Sequence, residues 1–460
     1  MCAMNREQIY SMVRERVMAL RSRGPVVLLD SQLSGHPSSG KIYLAGLPQR
    51  ILSFSGGGQT AHSATNPDAF RAVPWELLRQ FRDATKGAIL GYLGYDLKNY
   101  SEVLVSGNPD GVKAPDMWFM SPGILMEIDP VTGSIAYLAG NEDMLKDGDN
   151  DGPGVGGGNR EKKDNIKPSI GPVHSGMTYA EYRDVVNEAR RRIGEGDYYE
   201  INLTNQLQAR FSGDTYDLFE AMREAGPVPF AAYISGIEGS IDICCASPER
   251  FLARKGVRVV SEPIKGTAAA GHTNKEDIEA VSRLRNSAKD RAENLMIVDL
   301  VRNDLGRIAV KGSVKVDALF DIQSFKTVHH MVSTVSAEVP AQSDPVGIIK
   351  ACYPMGSMTG APKISAMKSI EELENYRRGI YSGAIGYIKE NGDFDFNVVI
   401  RTAVIKSEHL FYCAGGAITG DSDPAQEWEE SWIKARALLR VFGKETENSI
   451  SEMIPARSGL

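Results

Sequence analysis

Cysteine is scarce in this chain, with five among 460 residues, at Cys2, Cys244, Cys245, Cys352 and Cys413. No two form a Cys-x-x-Cys pair and none has zinc-site spacing, so neither a disulfide framework nor a structural zinc is expected. Sparse, unpaired thiols suit a reducing compartment, and a cytoplasmic location is expected. Cys244 and Cys245 are neighbours in a short apolar run, so their side chains should point to opposite faces of a strand. A long Lys/Arg block is also missing: 52 basic residues face 59 acidic ones, for a net charge of −7. That balance argues against nucleic acid or an anionic membrane as partner. A small anionic ligand would need a locally basic or metal-lined pocket. No window holds the roughly eighteen apolar residues of a membrane span. The first twenty residues, with Arg6, Glu7 and Glu15, lack a signal peptide's apolar stretch.

What is present is ordinary in composition, 42% hydrophobic and 24% charged, and long enough for one large domain or two to three smaller ones. Apolar spacing predicts a helix over 5–20 and a strand from Val26 to Leu29, ending in Asp30-Ser31. The glycines of Gly91-Tyr-Leu-Gly-Tyr-Asp96 suit close backbone packing. Residues 146–174, rich in Gly, Asp and Asn, read as a flexible linker. Gly156 to Gly158 have no strand before them and no helix directly after, so they do not make a phosphate loop. A helix is expected over 178–193, with Thr178 and Glu181 as a capping box and Tyr182, Val185, Val186, Ala189 and Ile193 as its buried stripe. Further helices are expected at 216–225, 275–301, 344–353, 361–373 and 424–442. Strands are expected at 199–211, 241–245, 257–260, near Val314, and at 380–388, 394–405 and 409–414. Strands and helices arrive in runs, which predicts an α+β fold and not a regularly alternating doubly wound one.

Several constellations can carry chemistry. Glu249 follows the strand 241–245, and Lys265 follows the strand 257–260. Consecutive strands usually pair, which would bring this acid and amine to one place. Such a pair can divide proton transfer and nucleophilic attack. Taken alone, Lys265 reads first as a surface lysine after a strand, and Glu249 as a partner of Arg250. Asp290 with Glu293, and Glu427 with Glu430, sit three apart on predicted helices and share a face. Two inward-facing carboxylate pairs suit a hard cation such as magnesium. Ordinary surface pairing, for example Glu430 with Lys434, stays open from spacing alone. Gly356 to Lys363 places small residues before a helix, which favours an anion. Gly415-Gly416-Ala417 ends a strand where a ligand can approach the backbone, and Arg401 can bind a carboxylate bidentately.

The order and wording of these strings are more specific than any one of them. Ser247-Pro-Glu-Arg250, Pro263-Ile-Lys-Gly-Thr267, Ser287 to Leu300 continuing to Arg302-Asn-Asp304, Thr327-Val-His-His330, Gly356 to Lys363, Tyr381-Ser-Gly-Ala384 and Gly415 to Glu430 cover most of residues 178–442. Leu28-Leu-Asp-Ser31 and Gly94-Tyr-Asp96 extend the match more loosely into the N-terminal third. In them the chain resembles the chorismate-binding enzyme family, and most of all the branch that aminates chorismate at C4.

The resemblance implies a large sandwich of two packed antiparallel sheets with helices outside. Residues 1–145 would join that sandwich, 146–174 would be the linker, 175–445 the catalytic region and 446–460 a tail. It implies an enzyme, a transferase making a C–N bond on chorismate. Lys265 would be the nucleophile at C2, where anthranilate-forming relatives carry alanine. For this its pKa must come down from about 10.4. Glu249 would be the acid and base, with His330 also among the catalytic residues. Magnesium would be held by Glu293 and Glu430, with Asp290 and Glu427 nearby. Tyr381, Arg401, Ser357, Thr267, Gly416 and Ala417 would bind the substrate. Ser31 would belong to a tryptophan pocket.

Ammonia is expected from a separate glutamine amidotransferase subunit, since nothing in the chain resembles a glutaminase. No room for a lyase is expected after the last helix. The product would be 4-amino-4-deoxychorismate, on the way to p-aminobenzoate and folate. Anthranilate formation, and chorismate binding without turnover, are the competing expectations, and Lys265 argues against the first. Two residues depart from the pattern. Ala417 replaces a usual third glycine and adds a methyl group beside the expected carboxylate site. Glu200 stands where glutamine is common and where water-adding relatives carry lysine.

Overall fold

In the computed structural model the described residues are 4–33, 40–56, 67–146, 167–271, 273–325 and 328–443. The expected tail 446–460 and most of the expected linker 146–174 fall outside them. The strand pairings are antiparallel and follow one another in a single ladder. It begins at Glu200–Ser212 and passes through His409–Ile418, Thr402–Lys406, Ile241–Ser247, Phe230–Ile237, Val26–Asp30 and Ile42–Phe54. It continues through Met117–Ile128, Ile89–Leu93, Ala384–Ile388, Phe394–Asn397, Arg250–Lys255 and Arg258–Glu262 to Val328–Glu338. Ile264–Ala269 and Lys315–Ser324 pair with that last strand.

Two long strands, Ile42–Phe54 and Met117–Ile128, sit at the centre, and their register shifts between Pro48 and Arg50. Such irregularities bend a strand pair. The two halves of the ladder pack face to face: Val27, Ile234, Ile243 and Val404 from one half join Leu90, Tyr92, Trp118 and Ile385 from the other in one buried cluster. The opposite faces are covered by helices. Arg6–Arg21, Tyr179–Glu195, Thr215–Ala225 and Pro424–Val441 cover one. Pro67–Asp83, Ala288–Gly306 and Pro345–Cys352 cover the other. This is the expected α+β sandwich, and strands from within residues 26–128 form its middle. Cys244 packs in the outer cluster and Cys245 in the inner one, as strand alternation requires. No helix among the described residues is long and apolar enough to cross a membrane.

Local signals explain several boundaries. Thr178 accepts from the Glu181 N–H while the Glu181 side chain accepts from the Thr178 N–H, the capping box expected there. Gly91 and Gly94 are close-packed: a Cβ on Gly91 would lie 2.0 Å from the Trp118 carbonyl oxygen.

Three expectations are corrected. The helix expected over 275–301 is two, Asn274–Asn286 and Ala288–Gly306, because Ser287 leaves helical geometry and caps the second by accepting from the Asp290 N–H. The strand expected over 394–405 is broken into Phe394–Asn397 and Thr402–Lys406, and Arg401 takes a φ of 51° in the gap. Finally, Ile241–Ser247 does not pair with Arg258–Glu262; it lies between Phe230–Ile237 and Thr402–Lys406.

Candidate active site

A cavity of about 520 Å³ is lined from both ends of the ladder, by Asn202, Gly415 and Ala417 on one side and Lys265, Thr267 and His330 on the other. The helices Ala288–Gly306 and Pro424–Val441 supply Asp290, Glu293 and Glu430. Glu249, Ser357, Tyr381 and Arg401 line it as well, whereas Gly416, Glu427 and Ser31 of the expected set do not. Glu249 and Lys265 therefore share a cavity, although different strand pairings bring them there.

Lys265 is 9% exposed, and its Nζ lies 2.5 Å from Oε1 of the fully buried Glu200. Burial works to lower the Lys265 pKa, but the charges of Glu200, Glu293 and Glu249 outweigh it, so the pKa is raised. The expected lowering of this pKa is thus corrected: its nearest partner is an anion, not a cation. The other Glu200 oxygen, Oε2, is buried without a hydrogen-bond partner. The backbone fixes Lys265 as well. Gly266 has a φ of 89°, and a Cβ there would lie 2.9 Å from the Cβ of Asp290. Only glycine lets the strand that carries Lys265 approach the acidic helix so closely.

Glu249 is 4% exposed, and burial pushes its pKa up to about 7 against the opposing effects of Ser357, Lys265 and the Ile264 N–H. At neutral pH it is poised between acid and base. His330 is buried, and burial followed by the Arg401 charge holds it well below its ordinary pKa, so it is neutral. Arg401 donates from Nη2 to His330 Nε2 at 3.3 Å, which leaves Nδ1–H to donate to Thr267 Oγ1 at 2.9 Å. With both ring nitrogens engaged, His330 connects Thr267 to Arg401. Tyr381, also buried, lines the same cavity.

The acidic pairs meet across two helices. Glu293 and Glu427 are buried, and Glu293 Oε1 accepts no hydrogen bond. Burial pushes the Glu293 pKa up to about 7. Glu427 accepts from Ser422 Oγ at 2.8 Å, and the expected surface pairing of Glu430 with Lys434 is present at 2.8 Å. Gly416 backs this group: a Cβ there would lie 3.2 Å from Glu427 Oε2 and 3.6 Å from Glu430 Oε1. Among the described residues no three His, Cys, Asp or Glu side chains form a ready-made metal cage. The orphaned Glu293 oxygen and the facing carboxylates fit a magnesium ion that keeps several waters, the usual habit of that cation.

Ser31 lies elsewhere, beside Tyr43, Phe230 and Asp395 in a cavity of about 190 Å³, where its Oγ accepts from the Gly40 N–H at 2.8 Å. Among the cavity residues to which the sequence assigned no role are Lys289 and Asn202. The signal for Lys289 was its place between Ser287 and Asp290, a cation in the first turn of a helix.

Comparison with known proteins points to one family. The sequence profile of the family described as "chorismate binding enzyme" matches residues 26–440. The chain is 45% identical over 276 residues to an aminodeoxychorismate synthase of Streptomyces griseus, which covers 60% of this chain. The chain in turn spans only 38% of that protein's length. It is 33% identical over 435 residues to aminodeoxychorismate synthase component 1 of Escherichia coli, covering 91% of this chain and 93% of that one. Among solved structures it resembles anthranilate synthase component I from Streptococcus pneumoniae, with a TM-score of 0.71 at 26% identity, covering 88% of this chain and 93% of that one.

Proposed function

The chain belongs to the chorismate binding enzyme family, and on that basis we propose that it is the chorismate-aminating component of an aminodeoxychorismate synthase. The observation that carries this reading is the buried Lys265 amine in the same cavity as Glu249, with the facing acidic helices beside both. An amine there can do what an alanine cannot.

In the proposed reaction Lys265, as free amine, attacks C2 of the chorismate ring. Both ring double bonds shift and the C4 hydroxyl leaves as water with a proton from Glu249. Ammonia then adds at C4, both double bonds shift back and the C2–N bond breaks, releasing the lysine. The new ammonium at C4 gives one proton to the Glu249 carboxylate, which restores the acid. Chorismate and ammonia become 4-amino-4-deoxychorismate and water. Glu249, with a pKa near 7, can serve in both directions.

Magnesium held by Glu293 and Glu430, with Asp290 and Glu427 beside them, would supply positive charge for the ring carboxylate. Arg401, oriented by His330, and Tyr381 would take the second carboxylate, with backbone N–H groups near Gly416 and Ala417. Thr267 and Ser357 hold His330 and Glu249 in place. We place the enzyme in the cytoplasm with a glutamine amidotransferase subunit as its ammonia source. The Ser31 cavity is the proposed tryptophan pocket.

Incubation with chorismate, magnesium and ammonium at alkaline pH, followed by an aminodeoxychorismate lyase, tests the reading. p-Aminobenzoate that appears only after the lyase supports it. Anthranilate would identify the other amination, and unconsumed chorismate would identify a binding subunit.

A further inference from the structure

Lys289 is the second residue of the helix Ala288–Gly306, where the positive end of the helix dipole disfavours a cation. Its Nζ nevertheless lies 3.8 Å from Glu293 Oε1 on its own helix and 3.7 Å from Glu427 Oε1 on the facing one. The ammonium thus bridges the same two helices whose carboxylates fit the divalent cation. Both distances exceed hydrogen-bond length, so charge and not a directed bond holds it there. Lys434, also beside these carboxylates, differs: it is anchored at 2.8 Å to both Glu430 and the Gly415 carbonyl oxygen.

We propose that Lys289 competes with the divalent cation for Glu293 and Glu427 and is displaced when the metal binds. This rests on the reading of the acidic pairs as the metal site. The exchange replaces one cation by another between the same carboxylates, so the helices are never left with their charges uncompensated. It also weakens metal binding, and it leaves the displaced ammonium at the cavity rim, which Lys289 already lines.

Titration calorimetry with magnesium, and electron paramagnetic resonance with manganese as a substitute of the same oxygen preference, test this without turnover. K289M is expected to bind either ion about three- to tenfold more tightly than the wild type, the scale of two solvent-facing ion pairs. K289R, which keeps the charge, is expected to stay near wild type. Without added metal, K289M should melt below the wild type, and saturating magnesium should close that gap. Unchanged or weaker binding by K289M, while the wild type binds the ion, overturns the competition alone. A wild type that takes up neither ion removes the metal reading and the proposal with it.

Discussion

The Nζ of Lys265 lies 2.5 Å from Oε1 of Glu200, and both side chains are buried. Glutamate at position 200 was a departure from the expected pattern, and this contact gives it a physical role. Burial alone drives a lysine towards its neutral form, whereas a carboxylate at this distance holds the ammonium. Glu200 fixes where the amine sits and raises the pH at which it becomes free.

The consequence for rate has a definite sign. In the proposed reaction the attacking species is the amine, so activity should rise with pH towards the raised Lys265 pKa. E200Q removes the largest opposing charge and leaves burial to act, so the acidic limb of kcat/KM should move to lower pH. A pH profile of wild type and E200Q checks this; an unmoved limb would mean that Glu200 does not govern Lys265.

Glu249 links activity to stability. Its folded pKa, about 7, lies above the ordinary 4.5, so the fold favours the neutral acid. That contribution is fully present below about pH 4.5 and is lost as pH rises through about 7. Above pH 7 the wild type bears a buried carboxylate that E249Q lacks. E249Q should therefore be more stable at pH 8, by up to about 3 kcal/mol, with the gain shrinking towards pH 5. Calorimetric melting at the two pH values measures this, and turnover should fall sharply in the same variant.

Arg401 should act through binding. Its guanidinium is oriented by a neutral His330, and a charge-assisted bond to a carboxylate contributes about 1.5–3 kcal/mol. R401A should raise the KM for chorismate about tenfold or more. An unchanged KM would remove Arg401 from the substrate site.

Gly266 should tolerate no side chain. At a φ of 89°, with Asp290 2.9 Å from a would-be Cβ, G266A should lose about 1–3 kcal/mol of stability and displace the acidic helix. Denaturant unfolding and magnesium binding should both register the change.

Much of the architecture was legible because its signals are local. The Thr178–Glu181 capping box, the apolar stripes and the alternation at Cys244 and Cys245 each carry their own physical cause. The expected site residues were read from motif wording, and the fold gathers most of them in one cavity. Three features were not legible. Ser287 breaks a helix through a cap inside a run that reads as continuous. Arg401 leaves the strand through a backbone conformation that composition does not announce. The Lys265–Glu200 pair spans 65 positions, and a pKa depends on the net charge around a group, which only the folded arrangement fixes.

The most direct test of the account is the fate of Lys265 itself. Wild type and K265A would be mixed with chorismate, magnesium and ammonium, with product measured as lyase-dependent p-aminobenzoate and the quenched protein analysed by peptide mass. The account predicts a chorismate-derived adduct on the Lys265 peptide of the wild type and loss of most product formation in K265A at neutral pH. Full product formation by K265A would contradict it.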